Sequence, residues 1–285
     1  MVGAGDVLTA WELDTVPTAG IVLVGLGYGV ARRRLHRTDH SWAPRRDVAF
    51  VAGLLALLIA VDGPPDAYAD VSFAVHMAQH LLIQLVAAPL LLLAAPVTLL
   101  LRADPPWLRR RMLVRVLRTN GVHMLTRPAV TFTAFAAVLV GSHLSPVYDL
   151  ALRNDTVHAI EHAAYLATAL LFWWPAVGVD PGPAKPAHAA RLLYVLLVMP
   201  VMAFLGVAIA STDRVLYPHY AAHPPPWGAT ALQDQHLAGT LMWVSGMVTI
   251  PPVLVLMLLR WLAQDDRMHA RTTVATANPA QIGRR

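Results

Sequence analysis

The stretch that decides the fold is "VHMAQHLLIQLVAAPLLLLAAP", Val75 to Pro96. It is apolar enough to cross a bilayer, yet it opens with His76 and His80, four residues apart. A titratable imidazole is costly in hydrocarbon, so two on one helix face call for a buried partner or a bound ligand. Residues i and i+4 sit one above the other, with Cβ atoms roughly 6 Å apart, close enough to share one ion.

The rest of the chain has the same oily character. It is 56% hydrophobic and only 14% charged over 285 residues, with a mean hydropathy of +0.52. A soluble domain carries closer to a quarter charged residues. The apolar residues come in long blocks, with no strand-like alternation and no internal repeat. This predicts an all-α polytopic membrane helix bundle, because a helix satisfies its own backbone hydrogen bonds within the bilayer. The first residues lack a basic region ahead of an apolar stretch, so no cleavable signal peptide is expected. There are no cysteines, which excludes disulfides, thiolate metal sites and CxxC transfer chemistry.

Seven apolar segments are predicted to cross, at about 16–31, 47–62, 71–95, 128–147, 157–179, 190–211 and 233–260. The first two are short against the roughly 20 residues a crossing needs. Pro89 and Pro96 are expected to kink the third. The whole of 1–285 reads as one integral membrane domain, with 263–285 a disordered cytoplasmic tail. Alternate connections hold 20 of the 22 basic residues, leaving Arg153 and Arg214 for the other side. Since cytoplasmic loops retain Lys and Arg, the N-terminus is predicted outside and the C-terminus inside. The net charge of +5 is thus a topology signal, and nucleic-acid binding is not expected. Segment 105–120 is predicted to lie along the inner surface as a basic amphipathic helix. "WWP" at 173–175 reads as an interfacial tryptophan belt.

Six histidines from four predicted spans reach a similar depth near the outer side. They are His76 and His80, His143 in "VLVGSHLSP", His158 and His162 in "DTVHAIEHAAYLATALLFWWP", and His236 in "ALQDQHLAG". One HxxxH pair is a weak signal; two pairs at one depth, with two further histidines beside them, suit a metal site. His219 and His223 lie in an outer loop. His36, His40, His123, His188 and His269, in basic loops, read as surface residues. Asp234 and Glu161 either orient ligand imidazoles through the second ring nitrogen or cap helix starts. Imidazole accepts copper, zinc, iron and nickel alike, and Met77, Met199, Met202 and Met242 offer thioethers that favour Cu(I) or simply pack. Haem is the competing cofactor, although an i, i+4 pair on one helix does not place imidazoles on opposite faces of a ring. No phosphate loop, nucleophile elbow or HExxH motif points to an enzyme.

At "HMAQHLLIQLVAAPLLLLAAP", "SHLSPVYDLALRNDTVHAIEHAAYLATALLFWWP" and "DQHLAGTLMWV" the chain resembles the seven-helix CtaG-type assembly factors of caa-type cytochrome c oxidases. The resemblance covers roughly residues 48 to 262. It implies a multi-pass protein of the bacterial plasma membrane that helps assemble a haem–copper oxidase by handling copper on the outer side. The six histidines match the positions where the family motifs place histidine. The expected partners are a haem–copper oxidase subunit in the membrane and the lipid bilayer. Copper binding by neutral imidazoles is expected to weaken below roughly pH 6, as they protonate. The alternatives are a haem-binding redox protein, a copper transport or resistance protein, and a scaffold without cofactor.

Overall fold

The computed structural model describes residues 10–11, 13–38, 41–103, 114–181 and 186–277, with side chains as far as residue 266. Every regular element among these residues is helical, as hydrocarbon requires of a chain that must satisfy its own backbone groups. In chain order the elements are α1 (Thr15–His36), α2 (Pro44–Asp62), α3 (Pro64–Ala69) and α4 (Phe73–Leu81). A π-helical segment, Leu82–Ala87, leads from α4 into α5 (Ala88–Leu93) and α6 (Pro96–Ala103). Then come α7 (Val114–Leu117), α8 (Asn120–Leu125), α9 (Pro128–His143), α10 (Val147–Ala151) and α11 (Asp155–Val177). The last four are α12 (His188–Leu196), α13 (Val198–Ala210), α14 (Pro218–Ala222) and α15 (Ala231–Ala277).

Among the described residues, five stretches are long and apolar enough to cross a membrane: α1, α2 with α3, α4 through α6, α12 with α13, and α15 to Asp266. The first two, expected to be short, are extended by helical residues beyond their apolar cores, to 22 and 26 residues. The remaining two predicted spans fall short for different reasons. The apolar helix α9 has 16 residues. Helix α11 has 23, but its first two turns hold His158, Glu161 and His162. Of the predicted amphipathic segment, residues 104–113 lie outside the described residues, and α7 is one short turn. The predicted tail is helical as far as Ala277, and 278–285 lie outside the described residues.

The third predicted span bends where its prolines fall. Pro89 has no N–H to return along the helix, and the chain widens into the π segment just before it. The carbonyl of Gln84, opposite that missing donor in π register, accepts instead from the indole N–H of Trp173 at 2.8 Å. Trp173 is therefore buried in the core, not placed in an interfacial belt. At Ala95 the backbone turns left-handed (φ 54°), ending α5 before Pro96 restarts the helix.

Two contacts fix the site end of the bundle. Asp234 of α15 reaches across to the start of α4, accepting from the Ser72 hydroxyl at 2.8 Å and the Ala74 amide at 3.3 Å. Ser72 itself caps Val75. Below this, α13 and α15 touch through Gly206 and Gly239, where a Cβ on either would sit 2.5–2.6 Å from the other's carbonyl oxygen. Small residues let backbones approach where no water drives packing. The core around these helices is apolar and aromatic: Phe73, Met77, Phe135, Tyr148, Tyr165 and Phe172 are all essentially sealed. Met202 and Met242 also sit in it, with Met199 packed against it.

Candidate functional site

Because α4 is pinned at its N-terminus by Ser72 and Asp234, its first turns are held inside the bundle. His76 and His80 are 0% and 1% exposed, with their Nε2 atoms 3.0 Å apart. Two ligands about 2 Å from one tetrahedral ion lie about 3.3 Å apart, so this spacing is close to that of a shared ion. Helix α11 brings the second pair alongside. The His158 and His162 ring centroids are 4.1 Å apart, with His158 5.0 Å from His76 and His162 5.4 Å from His80. The C-terminal end of α9 adds His143, its ring 6.2 Å from His80.

Second partners decide which ring nitrogens face inward. The Tyr220 hydroxyl donates to the Ala69 carbonyl at 2.8 Å, so its oxygen accepts from Nδ1–H of His76 at 3.1 Å. That leaves a lone pair on His76 Nε2. His143 Nδ1 lies 2.8 Å from the Leu139 carbonyl and must be the donor there, which frees Nε2 in the same way. Ligand histidines ordinarily have such an outer partner for the second nitrogen. Tyrosine rings wall the cluster: Tyr148 stacks on His76 and His143, and Tyr165 on His80. Tyr148 and Tyr220 lie outside the long helices, and burial pushes both hydroxyls well above the usual tyrosine range, so they stay neutral.

The donor set has unmet capacity. His80 Nδ1, His143 Nε2, His158 Nε2 and His162 Nε2 are buried without a hydrogen-bond partner among the described residues, as are both carboxylate oxygens of Glu161. Buried polar groups are ordinarily satisfied. Two overlapping groups have ligand atoms within 4.8 Å of one another: His76, His80 and His162, and Asp66, His158 and His162. These residues therefore fit a metal ion.

His236 does not join the cluster. Its Nε2 faces the Thr212 carbonyl at 3.0 Å, and its ring touches none of the other five among the described residues. The reason is helical phase. Asp234 points at α4, and two residues further on the direction has turned by roughly 200°. The predicted six-histidine set thus narrows to five, from three helices. Asp234 itself is a cap rather than a support for an imidazole. His219 pairs with Asp70 at 2.8 Å and has its ring 4.8 Å from that of His223, apart from the cluster. Of the loop histidines, His36 and His123 are exposed and His188 is half-buried, while His40 and the side chain of His269 lie outside the described residues. Sequence reasoning missed Asp66 and Tyr220. Asp66 lies in "VDGPPDAYAD", which has no histidine to mark it, and Tyr220 is neighbour to two loop histidines.

A cavity of about 780 Å³ runs beside the cluster between α1, α2 and α11. Asp66, His158 and His162 lie on its wall, and Val24, Leu57 and Leu166 line its apolar part.

Fold and site together define a multi-pass helical membrane protein with a buried histidine cluster at one end of the bundle. The family model described as cytochrome c oxidase caa3 assembly factor matches residues 26–264, and the chain belongs to that family. The match begins within α1, further toward the N-terminus than the sequence motifs reach. Similar chains include uncharacterised proteins of Mycobacterium tuberculosis and Mycobacterium bovis, each 30% identical over 272 residues, covering 93% of this chain and 41% of theirs. One from Mycobacterium leprae is 29% identical over 271 residues, covering 92% and 41%. The chain thus spans about two fifths of the length of these relatives. No solved structure matches it.

Proposed function

We propose that this protein helps assemble a haem–copper oxidase by holding a copper ion among His76, His80, His143, His158 and His162, and releasing it to an oxidase subunit docked beside it in the membrane. The observation that carries this reading is the set of five imidazoles from three helices, four of whose ring nitrogens are buried without a partner among the described residues. Membership of the oxidase assembly family supports an oxidase subunit as the recipient. An all-imidazole set without thiolate binds copper with moderate strength, which suits a donor. Copper is here cargo, so no catalytic step is required of the chain. A permease would need polar groups continuing along the bundle, and below His80 and His162 the third and fifth spans are almost wholly apolar, Gln84 and Thr168 being the main exceptions. Haem is a poorer fit for the inner pair, because imidazoles four residues apart on one helix, with Nε2 atoms 3.0 Å apart, do not lie on opposite faces of a ring.

In this reading the chain crosses the bacterial plasma membrane seven times, with α9 and α11 completing the set. The basic connections face the cytoplasm, and the histidine end faces outward. Burial of the polar groups of α11 against α4 removes the cost they would incur facing lipid.

Purification in detergent after copper loading, followed by gel filtration, elemental analysis and a visible spectrum, tests the proposal. Wild-type protein is expected to retain about one copper per chain and no Soret band, and a His76→Ala/His80→Ala variant to lose the copper that survives the column. Copper retained equally by both, or by neither, contradicts it. A Soret band with two-histidine character would select the haem reading.

A further inference from the structure

Between the cavity and the buried histidine pair lies a second donor group with different chemistry. Asp66, His158 and His162 are each half-buried, whereas His76 and His80 are sealed. The first three lie on the cavity wall; His76 and His80 do not. His162 belongs to both groups. The carboxylate of Asp66 is held in place by the same helix that carries the inner pair: the Gln79 side-chain amide donates to Asp66 Oδ1 at 2.6 Å and to the Ala60 carbonyl at 2.8 Å. Gln79 lies between His76 and His80 in sequence, so the positions of the two donor groups are fixed relative to one another.

We propose that the ion occupies two overlapping positions in turn, entering from the cavity at Asp66, His158 and His162 and passing to His76 and His80 with His162 as the shared ligand. A carboxylate with two imidazoles suits a divalent copper ion arriving with water still attached. The inner, all-imidazole position is dry, and it keeps the ion from exchanging directly with solvent. Because both positions need His162, they cannot be filled together, and the chain holds one ion. Transfer exchanges one carboxylate and one imidazole for two imidazoles, with no change in the oxidation state of the metal. Release to a recipient retraces the path, so a partner need reach only the cavity mouth. This inference rests on the copper reading above.

The test is the rate at which detergent-purified protein takes up Cu(II) chloride, followed by quenching of tryptophan fluorescence, with the final copper content measured on the same samples. Asp66→Asn keeps an acceptor for Gln79 and leaves the inner pair intact. It is expected to load at least fivefold more slowly than wild type and still to finish at one copper per chain. Any smaller slowing overturns the proposal, and so does loss of the final copper, which would merge Asp66 into a single site. In the His76→Ala/His80→Ala background, weak Cu(II) binding is expected to remain and to weaken at least tenfold further when Asp66→Asn is added. Residual binding indifferent to Asp66 overturns the proposal as well. Wild-type protein that takes up no copper contradicts the function reading itself, an outcome these variants distinguish.

Discussion

At the residue scale, two of the five imidazoles, His76 and His143, are oriented by a group outside the cluster. Tyr220 holds His76 by Nδ1 and is itself tied to the Ala69 carbonyl, so Nε2 is presented without rotation. Removing such an outer partner ordinarily weakens metal affinity about 10–100-fold. Tyr220→Phe is therefore expected to lower copper affinity within that range, measured by competition with a chromophoric chelator, while leaving the fold intact; unchanged affinity would show that His76 is oriented by packing alone. The HxxxH spacings made four of the five clustered histidines legible in the sequence, and depth along the predicted spans added His143. Depth is not direction, however, and a depth pattern cannot separate His236 from the others: at its height on α15 the side chain faces Thr212. Asp66 and Tyr220 carried no such signal, because they reach the site through loop and short-helix geometry that a linear pattern does not encode.

At the scale of elements, one cross-helix cap and one pair of glycines hold the site. Losing a side-chain cap costs about 0.5–2 kcal/mol. Asp234→Ala also leaves the Ser72 hydroxyl without its partner on α15, so a loss in that range is expected in the unfolding free energy in detergent. The same variant is expected to bind copper more weakly, because α4 loses its anchor just before His76. Gly239→Ala places a methyl group against the Gly206 carbonyl, where nothing flexible can yield. Overpacking of this kind costs about 1–3 kcal/mol, and a drop in thermal midpoint is expected. A neutral result at Gly239 would mean that α13 and α15 can separate freely. Pro89 was legible as a disturbance in its span, but not as a π segment, since its outcome depends on Trp173 arriving from α11 to satisfy Gln84.

For the whole molecule, the helical class follows directly from the apolar blocks, whereas the number of crossings does not, because polar residues at the buried end of α11 lower the hydropathy of a helix that packs inward. The absence of cysteine makes the topology simple to probe. Single cysteines at Ser41 and Ser211, both exposed, are expected to behave oppositely toward a membrane-impermeant maleimide: Ser211→Cys labels in intact cells and Ser41→Cys only after permeabilisation. Labelling of Ser41→Cys in intact cells, with Ser211→Cys labelled only after permeabilisation, would reverse the assignment of the histidine end to the outside. Copper-edge X-ray absorption on protein loaded with one equivalent of copper probes the cluster itself most directly. A shell of at least three imidazole nitrogens at about 2.0 Å is expected, altered in the His76→Ala/His80→Ala variant. A shell of oxygen scatterers that is the same in both proteins would mean that the buried histidines hold no ion.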